Sequence, residues 1–172
     1  TRGKFWEETG LIRDIVQNHV MQLVSLVGME PPVSLDANAI RDEKVKVLQA
    51  IRPIEQKDVV LAQYTAGLVG GEDVIGYLQE KDVSPTSQVE TYAALRLHID
   101  NWRWSDVPFY VRTGKRLPVR ATQIVIQFRR APLALVPMET MQHANRLTIH
   151  VQPEERIHLR FQTKQPGPGM NL

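Results

Sequence analysis

"TQIVIQF", residues 122–128, alternates strictly: Ile124, Ile126 and Phe128 fall on one face, and Gln123, Val125 and Gln127 on the other. A period of two belongs to a strand with one face buried and one wet, the usual condition of an antiparallel sheet. Outward from it, residues 89–100, 108–113, 145–151 and 156–163 read as further strands, joined by turn-rich segments with no long helix required between them. Upstream the period changes. From Gly10 the apolar positions Leu11, Ile12, Ile15, Val16, Val20, Leu23, Val24 and Val27 recur at three- and four-residue spacing and predict a helix, stopped at Gly28 before Pro31 and Pro32. A second, mostly exposed amphipathic helix begins near Ala39 after Asp36 and Asn38, carries Val45, Val47, Leu48 and Ile51, and meets Pro53. Residues 58–64 read as a strand, and 65–87, rich in Gly, Asp and Glu, as a long surface loop. A helical part at about 10–52 followed by a sheet part at about 58–163 predicts an α+β fold, a large, mainly antiparallel sheet with helices packed on one face.

Composition narrows the function. The 172 residues are 42% hydrophobic and 23% charged, globular proportions, and 21 basic against 19 acidic residues leave a net charge of only +2. So small a surplus predicts no nucleic-acid partner. Cysteine is absent, which removes disulfides and thiolate metal sites. No apolar run approaches the ~20 residues of a membrane span. The first ten residues, "TRGKFWEETG", lack the apolar segment of a signal peptide, and both ends read as interior sequence, so residues 1–172 are expected to be one incomplete domain.

The common catalytic signatures fail on spacing. Gly67, Gly70, Gly71 and Gly76 follow a strand without opening a helix and do not match a dinucleotide loop. His19, His98, His143, His150 and His158 are scattered, with no pair suited to zinc. In "NWRWSDVPFYVRTGKRLPVR", Trp102, Trp104 and Tyr110 could stack on bases, but alternating aromatics on a strand more often pack into a core. The turn "RTGKRLPVR" gathers Arg112, Lys115, Arg116 and Arg120 around Gly114 and Pro118; such a cluster suits a phosphate-sized anion, although a solvated turn explains the same residues. His19 falls on an apolar helix face, where a hydrogen-bonded core histidine is the commoner case. Asp14, five residues earlier, is displaced by roughly 140° at ~100° per residue, so an α-helix cannot give the two one face.

Taken in order, "GLIRDIVQNHVMQLVSLVGMEPP", "IRDEKVKVLQAI", "VPFYVRTGKRLP", "NRLTIHVQPEE" and "PGPGM" resemble the glucose-6-phosphate dehydrogenase family from Arg2 to Met170. The resemblance implies the catalytic helix and much of the large α+β domain, with the nucleotide-binding Rossmann domain and the principal substrate motif lying upstream. It implies an oxidoreductase that oxidises glucose 6-phosphate at C1 with NADP, the first step of the oxidative pentose phosphate pathway, in a cytoplasmic homodimer or homotetramer assembled through the sheet. His19 stands at the position of the family's general base, a task suited to an imidazole because it titrates near neutrality. Asp14 matches a carboxylate that binds sugar hydroxyls, and Lys115 and Arg120 match substrate-contacting basic residues; the first turns of the helix would floor the sugar-phosphate pocket while Val20, Leu23, Leu26 and Val27 continue into the core. Arg112 and Arg116 would add supporting charge. Ala121 and Val125 stand where some eukaryotic members place basic residues, so no second NADP is expected. NADP would be held mainly by the N-terminal domain, leaving this chain alone inactive. The competing reading is a noncatalytic module that binds sugar phosphate or serves assembly.

Overall fold

Gly10 sets the first break in the chain. Its φ of +69° ends the regular turn of α1 (Arg2–Leu11), and the chain continues as a π-helical segment over Ile12–Val20 before returning to α-helix in α2 (Met21–Gly28). Glu90 supports the break from outside: its Oε1 accepts the Ile12 backbone N–H at 2.9 Å, and a Cβ at residue 10 would lie 3.1 Å from the same oxygen. The computed structural model describes residues 2–130, 144–163 and 167. The chain divides into two compact units, Thr1–Pro118 and Val119–Leu172.

In the first unit α2 meets α3 (Ala37–Gln49), whose start is fixed by the Asp36 carboxylate accepting the N–H groups of Asn38 and Ala39, both at 3.0 Å. Gly28 is required at the crossing, since a Cβ there would stand 2.9 Å from Val47 Cγ1. Its carbonyl also accepts the Trp104 indole N–H at 2.9 Å. β1 (Val59–Ala62), β4 (Tyr92–Leu97) and β5 (Phe109–Gly114) form an antiparallel sheet in the order β1-β4-β5. Along β4 the pattern alternates: Ala93, Leu95 and Leu97 are buried, and Ile99 extends the row. Val16, Val24 and Val47 from the helices join that row in one core. The α+β expectation, with antiparallel strands and helices on one face, holds in this unit. The second unit is a three-stranded antiparallel sheet of β6 (Thr122–Gln127), β7 (Arg146–Gln152) and β8 (Arg156–Arg160). Ile124 and Ile126 occupy the more buried face of β6 and Gln123, Val125 and Gln127 the exposed one, as the alternation requires. Phe128, past the strand end, is exposed.

Three expectations are corrected. Residues 65–87 are not one surface loop. They form a hairpin of β2 (Gly67–Val69) and β3 (Glu72–Val74) around the positive-φ Gly70 and Gly71, then a 3₁₀ turn at Tyr77–Gln79. Strands of three residues are too short to show a period, and Tyr77 is buried with its hydroxyl on Glu7, 70 residues away in sequence. The aromatics of 102–110 do not line a core together: Trp102 is exposed in the turn at 101–106, and Tyr110 on the outward face of β5. Only Trp104 turns inward, edge-on to Phe109 at 5.0 Å. Leu26, expected in the core, is exposed, while Val24, Ser25 and Gly28 carry the buried face of α2.

Tyr77 ties α1 to the segment before β4. Its hydroxyl and that of Ser87 both donate to Glu7 Oε1 at 2.6 Å. Burial raises the Glu7 carboxyl, but the hydrogen bonds from Ser87, Tyr77 and the Ser84 backbone outweigh it and hold the group below its ordinary value of 4.5. A carboxyl that is harder to protonate when folded contributes stability in full above its unfolded value, and loses it as pH falls through the lower folded value. The stability difference between wild type and Glu7→Gln is therefore expected to shrink as pH drops below about 4.5. Denaturant midpoints measured across that range check this; a pH-independent difference contradicts it.

Candidate functional site

Asp14 and His19 both lie on the π-helical segment. Its hydrogen bonds close over five residues, as in the Met21 N–H that donates to the Val16 carbonyl. Positions five apart are then close to one turn apart. The α-helical expectation that Asp14 and His19 diverge around the axis is corrected: the wider turn brings residues 14 and 19 toward the same side. Such a segment is uncommon and occurs often at functional sites. His19 is exposed rather than set in an apolar face, and Asp14 is half-buried. Among the described residues neither side chain makes a hydrogen bond or ion pair with another, which leaves one acceptor carboxylate and one imidazole open to a ligand.

Lys115 follows directly after β5, where its backbone N–H donates to the Thr91 carbonyl at 2.8 Å. β5 packs against the π-helical segment, so the strand leading to Lys115 adjoins the turn that bears Asp14 and His19. The Lys115 ammonium stands 4.2 Å from the centre of the Trp6 ring. Arg116 behaves differently from the supporting charge expected of it. In a left-handed conformation, φ +57°, it turns its guanidinium to the Glu80 carboxylate at 2.9 Å and over the Tyr64 ring at 5.7 Å. Tyr64 donates its hydroxyl to the same Glu80 oxygen at 3.0 Å. Burial and the Glu80 partner push the Tyr64 hydroxyl above its ordinary range. The cation cluster is thus partly neutralised within the fold. Arg120 belongs to the second unit and is exposed.

A cleft at the Gly10 break is lined by Glu7, Glu8, Arg13, Gln17 and Glu90, and by none of Asp14, His19 and Lys115. Trp6, Glu80 and Glu90 were not legible as site neighbours in the sequence. Each meets its partner across a long chain separation, and no local spacing signals that. Gly70 and Gly71 form the β2–β3 turn, so this glycine cluster is not the strand-loop-helix of a dinucleotide loop.

The model of the family "Glucose-6-phosphate dehydrogenase, C-terminal domain" matches residues 1–172, across both units. The glucose-6-phosphate 1-dehydrogenase of Aggregatibacter actinomycetemcomitans is 52% identical over 98% of this chain and 34% of its own length. That of Mycolicibacterium smegmatis is 46% identical over 99% of the chain and 35% of its own length. A solved structure of glucose-6-phosphate dehydrogenase in complex with its substrate glucose 6-phosphate superposes with a TM-score of 0.88 at 40% identity, covering 99% of this chain and 34% of that one. The chain spans about a third of the length of the curated relatives it matches.

Proposed function

This chain belongs to the glucose-6-phosphate dehydrogenase C-terminal domain family, and we propose that it supplies the sugar-phosphate side of a dehydrogenase that oxidises glucose 6-phosphate at C1. The observation that supports this most is the common π-helical turn of Asp14 and His19, in a segment packed against β5, the strand that ends one residue before Lys115. Glucose 6-phosphate offers hydroxyls at one end and a dianion at the other. Asp14 accepts hydrogen bonds from ring hydroxyls, Lys115 meets the charged substrate, and His19 takes the proton of the C1 hydroxyl. NADP as the hydride acceptor is assigned to a domain outside residues 1–172, and this chain's own part ends with binding and proton acceptance. Residues 1–172 act as one incomplete domain of that protein, consistent with a single family model running across both units. Ile157, Leu159 and Phe161, exposed on and just beyond β8, suit a self-association face in a homodimer or homotetramer. Among the described residues no helix is long and apolar enough to cross a membrane; a cytoplasmic place in the oxidative pentose phosphate pathway follows from the proposed substrate and cofactor.

The test is NADP reduction with glucose 6-phosphate, comparing the isolated chain with the full-length protein that carries it. Activity in the longer protein alone is expected. Activity in neither would favour a noncatalytic sugar-phosphate-binding module. Within the full-length protein, Lys115→Ala should raise KM for glucose 6-phosphate by about tenfold with a smaller change in kcat, the loss of one charge-assisted contact. An unchanged KM removes Lys115 from the site.

A further inference from the structure

Lys115 carries a long, flexible side chain with several rotatable bonds, and an ammonium must be held in place to meet a phosphate or hydroxyl in one geometry. Two anchors flank it. The Trp6 ring lies 4.2 Å beneath its ammonium, inside the ~6 Å at which a cation is drawn to an indole face. The next residue, Arg116, is fixed on Glu80 and Tyr64. Trp6 is itself 4% exposed, within the unit's core. A small space at the foot of the lysine is walled by Gly3, Trp6, Tyr64, Tyr77, Glu80 and Thr91. Gly3 belongs to this wall for a steric reason: a Cβ there would stand 2.4 Å from the Lys81 carbonyl oxygen, so only glycine lets α1 come this close. α1, the 3₁₀ turn region and the end of β5 therefore converge on one side chain.

We propose that Trp6 is a positioning residue for Lys115, holding its ammonium in the orientation from which it contacts the sugar phosphate. This rests on the reading of Lys115 as a substrate contact. An indole face suits the role because its ring electrons attract a cation from a fixed direction. The anchor is reached from α1, outside the basic turn.

The experiment is a double-mutant cycle in the full-length protein, reading KM and kcat for glucose 6-phosphate with Trp6→Leu, Lys115→Ala and both together. Trp6→Leu is expected to raise KM about three- to tenfold with kcat little changed, and to add nothing in the Lys115→Ala background. Trp6→Phe, which keeps a ring face, should recover part of the loss, and it replaces the Leu variant in the cycle if that variant does not fold. Equal effects of the Trp6 change in both backgrounds would overturn the positioning role while leaving Lys115 in the site. No effect of Lys115→Ala would overturn both.

Discussion

His19→Asn in the full-length protein should lower kcat by about 10²- to 10⁴-fold while KM for glucose 6-phosphate moves little. Asparagine keeps the approximate size and a hydrogen-bonding head but cannot take up a proton at neutral pH, so it removes an interaction realised in the transition state and spares one made in the ground state. His19 is exposed, and Asp14 lies on the same π-helical segment. Steady-state rates for the two proteins decide the point, and a kcat within a few-fold of wild type would remove His19 from the role.

What the sequence disclosed, and what it withheld, follow one physical division. Strand periods in "TQIVIQF" and along residues 92–97 are local, and so is the Asp36 cap, which is why the element types and their order could be read directly. The π-helical turn is not local in that sense. Its apolar residues are compatible with α-helical spacing, and the wider turn depends on the Gly10 break and on Glu90, 78 residues from the N–H it accepts. Counting at the α-helical angle therefore separated Asp14 from His19, although the resemblance had assigned both to one substrate. The composition of residues 65–87 likewise concealed a hairpin and a buried tyrosine whose acceptor lies on α1. Lys115 was legible as a cation in a basic turn, whereas Trp6, which holds it, was not, because a cation–ring contact between residues so far apart leaves no periodic trace.

Leu97→Ala is expected to cost about 2–5 kcal/mol of folding stability and to leave KM for the sugar phosphate unchanged wherever the variant remains folded. Leu97 is 1% exposed on the central strand of the β1-β4-β5 sheet, in the core built from Val16, Val24, Val47, Ala93, Leu95 and Ile99. Truncation there loses the transfer free energy of the removed carbons and leaves a cavity that a core supported by three helical segments and a sheet cannot readily collapse. The position separates scaffold from site. Leu97 pairs with Phe109 at the start of β5, whereas Tyr92 pairs with Gly114 at its other end, the residue before Lys115. The damage therefore falls five strand positions from the basic turn, and the Thr91 carbonyl that accepts the Lys115 N–H lies beyond the far end of β4. Denaturation midpoints and KM measured on the same preparation test both halves. A raised KM with an unmoved midpoint would mean that Leu97 belongs to the substrate-binding surface, in conflict with its burial.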